Sequence, residues 1–226
     1  MKLSVIIPCF DEAQHVLQAI EAVKAVDIPK QIIVVDDGST DDTRQVLADY
    51  NSDGSIIVHR CERNEGKGAA IRAGLEYVTG DVVIIQDADL EYDPRQFPEI
   101  VKPIADGEAD VVYGSRFLGS IEGMRLRNRI ANYILAWTAN ILFNAHLTDE
   151  ATCYKAFKTD LLKSLPLRCK RFEFCPEVTA KVRKRGIKIK EVPIRYVGRC
   201  AAQGKKIKWT DAFEAMWALI KYRFVD

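Results

Sequence analysis

Three acidic side chains follow a short apolar segment of this sequence, and they are candidates for metal-ion chemistry. Val82–Glu91 reads VVIIQDADLE, so that Asp87, Asp89 and Glu91 come directly after a run of β-forming residues. The run predicts a strand buried on both faces of a parallel sheet, with the carboxylates at its carboxyl end. Hard oxygen ligands of this kind favour Mg²⁺ or Mn²⁺, which commonly bridge to the phosphates of a nucleotide. The alternative is an ordinary solvated acidic turn, because aspartate is frequent in turns.

Two earlier strand ends carry acidic residues as well. Leu3–Ile7 predicts a first strand that Pro8 stops, and Gln31–Val35 predicts a second strand that runs into Asp36 and Asp37. Strand and helix alternate three times before the apolar segment described above, which is the pattern of a doubly wound parallel sheet. The carboxyl ends of such strands meet in one crevice. We therefore expect the acidic groups of all three ends to surround a metal ion and a nucleotide.

The connections between these strands supply further candidates. Asp11 is predicted to cap the first helix, and Ser55–His59 predicts a third strand. Gly66–Gly68 precedes a predicted helix at Ala69–Val78, and small residues with Lys67 at a helix start suit a phosphate or sugar phosphate. A plain glycine turn is the alternative interpretation. No GxGxxG fingerprint follows the first strand, which argues against a dinucleotide dehydrogenase.

A later strand is followed by a basic residue. Asp110–Tyr113 predicts this strand, and Arg116 comes shortly after it. The planar guanidinium of an arginine is suited to hold a phosphate near the crevice, whereas a surface ion pair is the alternative. Lys188–Tyr196 predicts an edge strand near the end of the chain.

Composition bounds the class of protein. The chain has 226 residues, 48% of them hydrophobic, and a formal net charge of +1. It can therefore bury a normal core, and it has no global attraction to nucleic acid. Six cysteines without a CxxC pair, together with only three histidines, make a structural zinc site a poor interpretation, and reduced thiols are expected. We expect neither a signal peptide at the start nor a transmembrane helix.

Two segments predict amphipathic helices at a membrane surface. Residues 123–145 and 207–225 combine basic residues with tryptophan, tyrosine or phenylalanine at helical spacing. This composition is typical of helices that lie on an anionic membrane, and an ordinary buried helix is the alternative. Both segments are expected to belong to one domain that comprises residues 1–226.

Five motifs in a fixed order carry a resemblance to a known family. They are Pro8-Cys-Phe-Asp-Glu, Val35-Asp-Asp-Gly-Ser, Asn64-Glu-Gly-Lys-Gly, Gln86-Asp-Ala-Asp-Leu-Glu and Tyr113-Gly-Ser-Arg. Together they resemble the inverting family 2 glycosyltransferases of GT-A fold, and among these the polyprenyl-phosphate sugar synthases. The resemblance implies an α/β enzyme that moves a hexose, with mannose favoured, from a nucleotide sugar to a polyprenyl (dolichyl) monophosphate. Open alternatives are another donor such as UDP-glucose, a saccharide acceptor, or a non-catalytic partner that binds nucleotide sugar or membrane.

The resemblance also implies roles for individual residues. Asp87 and Asp89 form its DxD-type motif, and Glu91 joins them as a metal ligand. Arg116 and Arg129 are implied to bind the acceptor phosphate. Arg125 and Arg127 are the alternatives to Arg129. Asp149 is implied to stand beside the acceptor, where it orients or deprotonates it, while helix capping is its alternative role. The implied donor-binding residues are Pro8, Phe10, Glu12, Val35, Asp37, Lys67, Ala88, Arg199 and Lys205.

The resemblance finally implies a cofactor and partners. The cofactor is Mg²⁺ or Mn²⁺, and the partners are a nucleotide-sugar donor, a polyprenyl phosphate and a membrane surface. A membrane-protein partner is compatible with it, and nucleic acid is not expected. The implied location is the cytoplasm, peripheral on the cytoplasmic face of a membrane.

Overall fold

The described residues form a seven-stranded, mostly parallel sheet. This computed structural model describes residues 1–51, 54–198 and 209–225. Its strands are β1 (Leu3–Cys9), β2 (Lys30–Asp36), β3 (Ile57–Arg60), β4 (Val82–Ile85), β5 (Val111–Glu122), β6 (Lys155–Lys158) and β7 (Ile189–Val197). Their order is β3-β2-β1-β4-β6-β5-β7, and among them β6 runs antiparallel to its neighbours. The expected doubly wound, mostly parallel sheet is confirmed.

Helices connect the strands and pack on the sheet. They are α1 (Val16–Lys24), α2 (Thr43–Tyr50), α3 (Lys67–Leu75), α4 (Phe97–Ala105), α5 (Leu126–Phe143), α6 (Thr159–Ser164), α7 (Phe174–Lys184) and α8 (Trp209–Phe224). Helix α3 packs on β1 and β2, and α4 packs on β5 and β6, whereas α5, α7 and α8 pack on one another. The core contains fully buried side chains from the central strands, such as Ile6, Ile33 and Ile84.

The strand order reverses at β1, and this reversal locates a crevice. After β1 the chain builds β2 and β3 on one side, and β4 then returns to the other side of β1. The carboxyl ends of β1 and β4 therefore flank a crevice of the kind in which open α/β sheets bind ligands. The acidic turn after β4 lies at this crevice.

Pro8 does not stop the first strand, and that prediction is wrong. Strand β1 continues to Cys9, and Pro8 pairs in register with Val35 on β2. The carbonyl of Ile6, two residues earlier, accepts a hydrogen bond from the Gln86 N–H beside β4 at 2.9 Å. The backbone of Pro8 faces the same side of β1 as that of Ile6, but it lies beyond Ile6, the last residue of β1 that pairs with β4. A backbone N–H group at Pro8 would therefore have no partner in the sheet, and proline is tolerated there.

Asp11 does not cap α1, and that prediction is wrong as well. Its backbone is left-handed, with φ of 49°. Its carboxylate accepts hydrogen bonds from the N–H groups of Thr40 at 2.7 Å and Asp41 at 3.3 Å. Helix α1 has no side-chain hydrogen bond at its N-cap. Asp11 instead ties the loop after β1 to the loop after β2, and so holds two strand ends together at the crevice.

Strand β5 is longer than the sequence predicted because it pairs with β7 along two stretches. The register shifts between Ser115 and Ser120, and the bulge so formed carries Arg116. Bulges bend a strand and re-aim its side chains, often beside functional sites. A Cβ atom on Gly119 would lie 2.0 Å from the carbonyl oxygen of Ile194. The backbone of β7 therefore leaves room only for glycine at this position.

Gly119→Ala is expected to destabilise the protein by about 1–3 kcal/mol, because the methyl group must push β7 away from the bulge. Urea unfolding followed by circular dichroism measures the change. Ser120→Ala, at the exposed neighbouring position, is the control and should stay within about 0.5 kcal/mol of the wild type. A Gly119→Ala protein as stable as this control would show that the close approach does not constrain the bulge.

Candidate active site

The acidic turn after β4 is held by a strained backbone residue and by hydrogen bonds. Leu90 lies in the left-handed region with φ of 60°, where a leucine is strained. The turn brings the Glu91 N–H to 3.1 Å from Asp89 Oδ1, which accepts its hydrogen bond. Glu91 is buried, and its Oε2 accepts a hydrogen bond from the Tyr196 hydroxyl at 2.6 Å. The carboxylates of this turn are thus held in place by their neighbours.

The oxygen donors of this turn fit Mg²⁺ or Mn²⁺, which favour carboxylate ligands. Within residues 1–51, 54–198 and 209–225, no three His, Cys, Asp or Glu side chains already form a group that could hold a metal ion. Mg²⁺ is usually held by one or two carboxylates together with substrate phosphates. The turn therefore suits an ion that arrives with a nucleotide, and Asp87, Asp89 and Glu91 remain its predicted ligands.

Lys67 forms an ion pair with Asp87, so the first carboxylate of the DxD motif has a counter-charge. Each of the two side chains is 21% exposed, and a ligand in the crevice can still reach them. The Lys67 Nζ also lies 3.4 Å from Cys153 Sγ. Burial lowers the pKa of the lysine, but Asp87 and the neighbouring groups together raise it, and the pKa lies well above its ordinary value. A protonated lysine therefore stands beside the predicted metal motif.

The glycines before α3 serve close packing. The N–H groups of Gly68 and Ala69 donate to the carbonyls of Arg171 and Lys170, both at 2.9 Å. A Cβ atom on Gly66 would lie 2.6 Å from the carbonyl oxygen of Lys170. These two N–H groups are thus not available to a phosphate. The glycine-turn interpretation of the motif agrees with the structure, and a phosphate cradle at this helix start does not.

Glu177 on α7 holds the segment that caps α3. Its carboxylate accepts hydrogen bonds from the N–H groups of Arg168 at 2.8 Å and Cys169 at 2.7 Å, and from Lys181 Nζ at 2.7 Å. Burial raises the pKa of this carboxyl, but the hydrogen bonds outweigh it, and the pKa lies below its ordinary value. Glu177 thus fixes the capping segment, and through it the helix start that carries Lys67.

Asp37 joins the ends of β1 and β2 to the loop before α3. Its Oδ1 and Oδ2 accept hydrogen bonds from the N–H groups of Glu65 at 3.1 Å and Gly66 at 2.7 Å. Its own N–H donates to the carbonyl of Cys9 at 2.9 Å. Burial is the main cause that raises the pKa of Asp37. A cleft of about 550 Å³ opens beside Asp37 along α3, a size typical of small-molecule sites.

The other predicted donor-binding residues lie at the same edge of the sheet. Val35 is buried in β2 beside Pro8, and Ala88 is buried in the acidic turn. Phe10 is half-buried in the loop after β1, and Glu12 is buried where that loop leads into α1. The structure thus brings together the predicted residues from the ends of β1, β2 and β4, while their contacts with a donor stay predictions.

Arg116 and Asp149 form a buried, two-pronged ion pair. The Nε of Arg116 donates to Asp149 Oδ2 and its Nη2 donates to Oδ1, each at 2.6 Å. Arg116 is 6% exposed and Asp149 is fully buried, so the pair is largely shielded from solvent. Asp149 precedes β6 and caps no described helix. Its carboxylate is occupied by Arg116, which favours the orienting role predicted for it over the deprotonating one.

Glu191 on β7 fixes the Asp149 end of this pair. Its Oε1 accepts a hydrogen bond from the Asp149 N–H at 3.0 Å. Its Oε2 accepts hydrogen bonds from the Thr148 N–H at 2.8 Å and hydroxyl at 2.9 Å. The Thr148 hydroxyl also lies 2.6 Å from the hydroxyl of Ser115 on β5. Strands β5 and β7 therefore position the segment that pairs with Arg116.

The other arginine and lysine residues predicted to bind phosphate lie in α5 or in the segment before α8. Arg129 is exposed in the first turns of α5, near the exposed Arg125 and Arg127. Arg199 and Lys205 lie outside the residues that the structure describes, so their closure over a donor stays a prediction.

Two residues that organise the site were not predicted from the sequence. Tyr196 and Glu191 belong to a segment that predicted only an edge strand, and no local pattern indicates which side chains of such a strand reach the crevice. Glu191 has one signal in the sequence, because it is the acidic residue of an otherwise basic segment, KIKEVPIRY. The partners of Tyr196 are not visible in the sequence at all.

A family model described as glycosyl transferase family 2 matches residues 4–165. The match comprises most of the sheet and the acidic turn after β4, and it ends after α6. The chain therefore belongs to glycosyl transferase family 2.

Two relatives are similar over most of this chain. The low-salt glycan biosynthesis hexosyltransferase Agl6 of Haloferax volcanii is 30% identical over 200 residues, 86% of this chain and 47% of the relative. This chain thus spans about half the length of that protein. The UDP-N-acetylglucosamine–dolichyl-phosphate N-acetylglucosaminyltransferase of Methanococcus voltae is 29% identical over 212 residues, 85% of this chain and 84% of the relative.

A solved structure shares the fold. Glucosyl-3-phosphoglycerate synthase from Mycobacterium tuberculosis, in complex with Mn²⁺, UDP and phosphoglyceric acid, superposes with a TM-score of 0.76 at 22% identity. The match covers 100% of this chain and 79% of that chain. The GT-A fold that the motifs implied is confirmed.

Glu177→Gln is expected to remove part of the acid sensitivity of folding. A carboxyl whose pKa is lower in the folded state stabilises the protein above its unfolded pKa, near 4.5. That contribution is lost as the pH falls through the folded pKa. At neutral pH the variant should therefore be less stable by about 1–3 kcal/mol, and its stability should fall less steeply below pH 4.5.

Urea unfolding at a series of pH values measures this difference. Glu76→Gln, at an exposed position at the end of α3, is the control and should follow the wild type. Equal acid dependence of the wild type and Glu177→Gln would contradict the prediction.

Proposed function

We propose that this chain transfers a hexose from a nucleotide sugar to a polyprenyl monophosphate at a membrane surface, with inversion at the anomeric carbon. The observation that carries this proposal is an apolar and basic surface that α5 and α8 form beside Arg116. A lipid phosphate has an apolar tail and an anionic head, so an enzyme that uses it benefits from a membrane contact next to a cationic site.

Helix α5 turns an apolar face to the solvent. Its exposed apolar side chains repeat at helical spacing, and they are Leu126, Ile130, Tyr133, Ile134, Trp137 and Ile141. The opposite face is buried through residues such as Leu135 and Phe143. Tyr133 packs on Phe117, the residue after Arg116, with 4.5 Å between the ring centroids. An exposed apolar face of this kind favours a membrane or a partner as its occupant.

Helix α8 packs against α5 and continues this surface. Its exposed apolar side chains are Phe213, Trp217, Ile220 and Phe224. Exposed basic residues flank both helices, and they are Arg125, Arg127, Arg129, Lys221 and Arg223. Aromatic and basic residues in this combination are typical of helices that lie on anionic membranes. Peripheral binding to the cytoplasmic face of a membrane is the location that we propose.

In the described part of the chain, no helix combines the length and the apolar character needed to cross a bilayer.

The relatives support the acceptor class and leave the sugar open. The Methanococcus voltae relative is named for dolichyl phosphate and UDP-N-acetylglucosamine, and the Haloferax volcanii relative for hexosyl transfer. We propose a polyprenyl phosphate as the acceptor on this basis. The motif resemblance favours mannose as the sugar, and a comparison of donors decides between mannose and the alternatives.

The proposed reaction exchanges one phosphate for another at the anomeric carbon. An oxygen of the acceptor phosphate forms a bond to that carbon, and the bond from the carbon to the donor diphosphate breaks. The diphosphate leaves with the bonding electron pair. A phosphate monoester is already an anion near neutral pH, so no base has to remove a proton. This agrees with an Asp149 carboxylate that is bound to Arg116.

Stabilisation of the leaving diphosphate is then a main task of the site. Asp89, with Asp87 and Glu91, would hold Mg²⁺ or Mn²⁺, which when bound neutralises charge on the diphosphate. Lys67 supplies a fixed positive charge in the same crevice, at the position of its ion pair with Asp87.

Arginine and lysine side chains supply the remaining positive charge. Arg116 is proposed to orient the acceptor phosphate, with Arg129 as a second contact. Arg199 and Lys205, which lie outside the described residues, are proposed to close over the donor diphosphate.

Asp89→Ala is expected to abolish sugar transfer, because it removes a proposed metal ligand from the acidic turn. Transfer from radiolabelled donor to polyprenyl phosphate measures the loss, and circular dichroism checks that the fold persists. Asp81→Ala, at an exposed position before the same strand, is the matched control and should keep its activity. An Asp89→Ala enzyme with full activity would remove the support for this assignment.

Binding to anionic vesicles is expected to weaken as salt rises, because basic residues flank the apolar surface. Replacing the exposed Trp137 and Trp217 by serine should weaken binding at least tenfold, since each substitution removes an indole that would contact the apolar part of the membrane. Vesicle co-sedimentation measures both effects.

Tyr77→Ser is the control for that double variant. Tyr77 is an exposed aromatic residue that lies outside α5 and α8, and its loss should not change vesicle binding. Binding that is indifferent to salt and to both tryptophans would contradict the membrane-surface assignment.

A further inference from the structure

Tyr196, near the end of β7, contacts both halves of the proposed site. Its hydroxyl donates to Glu91 Oε2 at 2.6 Å. The guanidinium carbon of Arg116 lies 5.3 Å from the centre of its ring. Tyr196 is 3% exposed, so both contacts are made away from solvent. One side chain therefore links a predicted metal ligand with a predicted acceptor-binding arginine.

The backbone near Tyr196 is attached to the acidic turn independently of the hydroxyl. The Val197 N–H donates to the Glu91 carbonyl at 3.1 Å, and Tyr92 forms an antiparallel bridge with Tyr196. The rings of Tyr92 and Tyr196 also pack edge to face, with 5.2 Å between their centroids. Removal of the hydroxyl alone is therefore expected to leave the strand in place.

A carboxylate can accept this hydrogen bond and ligate a metal ion at the same time, because an ionised carboxylate has about four lone-pair positions. Hydrogen bonds to a ligand side chain fix its orientation before a metal binds. Loss of such a partner typically weakens metal binding or activity by about 10–100-fold.

The ring makes a separate contribution through Arg116. A guanidinium within about 6 Å of an aromatic centroid is attracted to the face of the ring. Asp149 holds two nitrogens of the same guanidinium by hydrogen bonds. Arg116 is therefore held by a carboxylate and by an aromatic ring, and both fix the direction in which it points.

We propose that Tyr196 is a positioning residue for both substrates: its hydroxyl orients Glu91 for the metal ion, and its ring holds Arg116 for the acceptor phosphate. This inference rests on the proposed function and extends it to a residue on a different strand. The two contacts of the side chain can be separated, because the hydroxyl serves the metal and the ring serves the acceptor.

Tyr196→Phe removes the hydroxyl and keeps the ring. Electron paramagnetic resonance of Mn²⁺, titrated into the whole chain with UDP or GDP present, measures metal binding without turnover. We expect the affinity for Mn²⁺ to fall by about 10–100-fold. The KM for polyprenyl phosphate at saturating Mn²⁺ should stay unchanged, whereas Tyr196→Leu, which also lacks the ring, should raise it.

Tyr113→Phe is the matched control. Tyr113 is fully buried, and its hydroxyl lies 2.9 Å from the hydroxyl of Thr179 on α7. Both phenylalanine variants lose one buried hydrogen bond, so a merely structural role would give them similar thermal shifts and similar Mn²⁺ binding. We expect Tyr113→Phe to bind Mn²⁺ like the wild type.

The outcomes separate this inference from the proposed function. If wild-type chain and Tyr196→Phe bind Mn²⁺ equally, or if both phenylalanine variants lose the same affinity, the inference is overturned and the proposed function stands. If the wild-type chain binds no Mn²⁺ with either nucleotide, the proposed function is overturned, and the inference is overturned with it.

Discussion

The buried ion pair between Arg116 and Asp149 is the interaction on which the rest of the site depends. It joins the bulge of β5 to the segment before β6, and contacts from Glu191 and Tyr196 extend it to β7. Removal of one partner from such a pair leaves a buried charge without compensation, which destabilises a protein by about 3–5 kcal/mol. Well-packed apolar residues in place of such a pair often leave a protein at least as stable. We therefore propose that the pair serves to fix the Arg116 guanidinium for the acceptor phosphate.

Charge is the second constraint on this crevice. Carboxylates from three strand ends lie at one edge of the sheet, where unpaired like charges repel one another. Lys67 pairs with Asp87, the Tyr196 hydroxyl binds Glu91, and backbone N–H groups bind Asp37. These bonds hold the acidic groups in place, as the proposed binding of an ion together with a nucleotide requires.

The sheet and the acidic turn could be predicted because they follow from local patterns. Apolar runs followed by carboxylates are visible in order along the sequence. The effect of Pro8 could not be predicted, because it depends on which side of β1 is paired at that residue. The glycines near Lys67 were ambiguous, because only the chain packed against them decides between a phosphate site and a turn. Tyr196 acts through Glu91, which lies 105 residues away in the sequence.

The decisive measurement for the proposed function is whether this chain forms a glycosylated lipid phosphate. The chain would be incubated with Mn²⁺, a polyprenyl monophosphate in anionic vesicles, and either GDP-mannose, UDP-glucose or UDP-N-acetylglucosamine. Mass spectrometry would identify the product, and nuclear magnetic resonance would assign its anomeric configuration. We expect one donor to yield a hexosyl polyprenyl phosphate of inverted configuration, and a chelator to abolish its formation. A product of retained configuration, or transfer to a saccharide without any lipid, would overturn the proposed function.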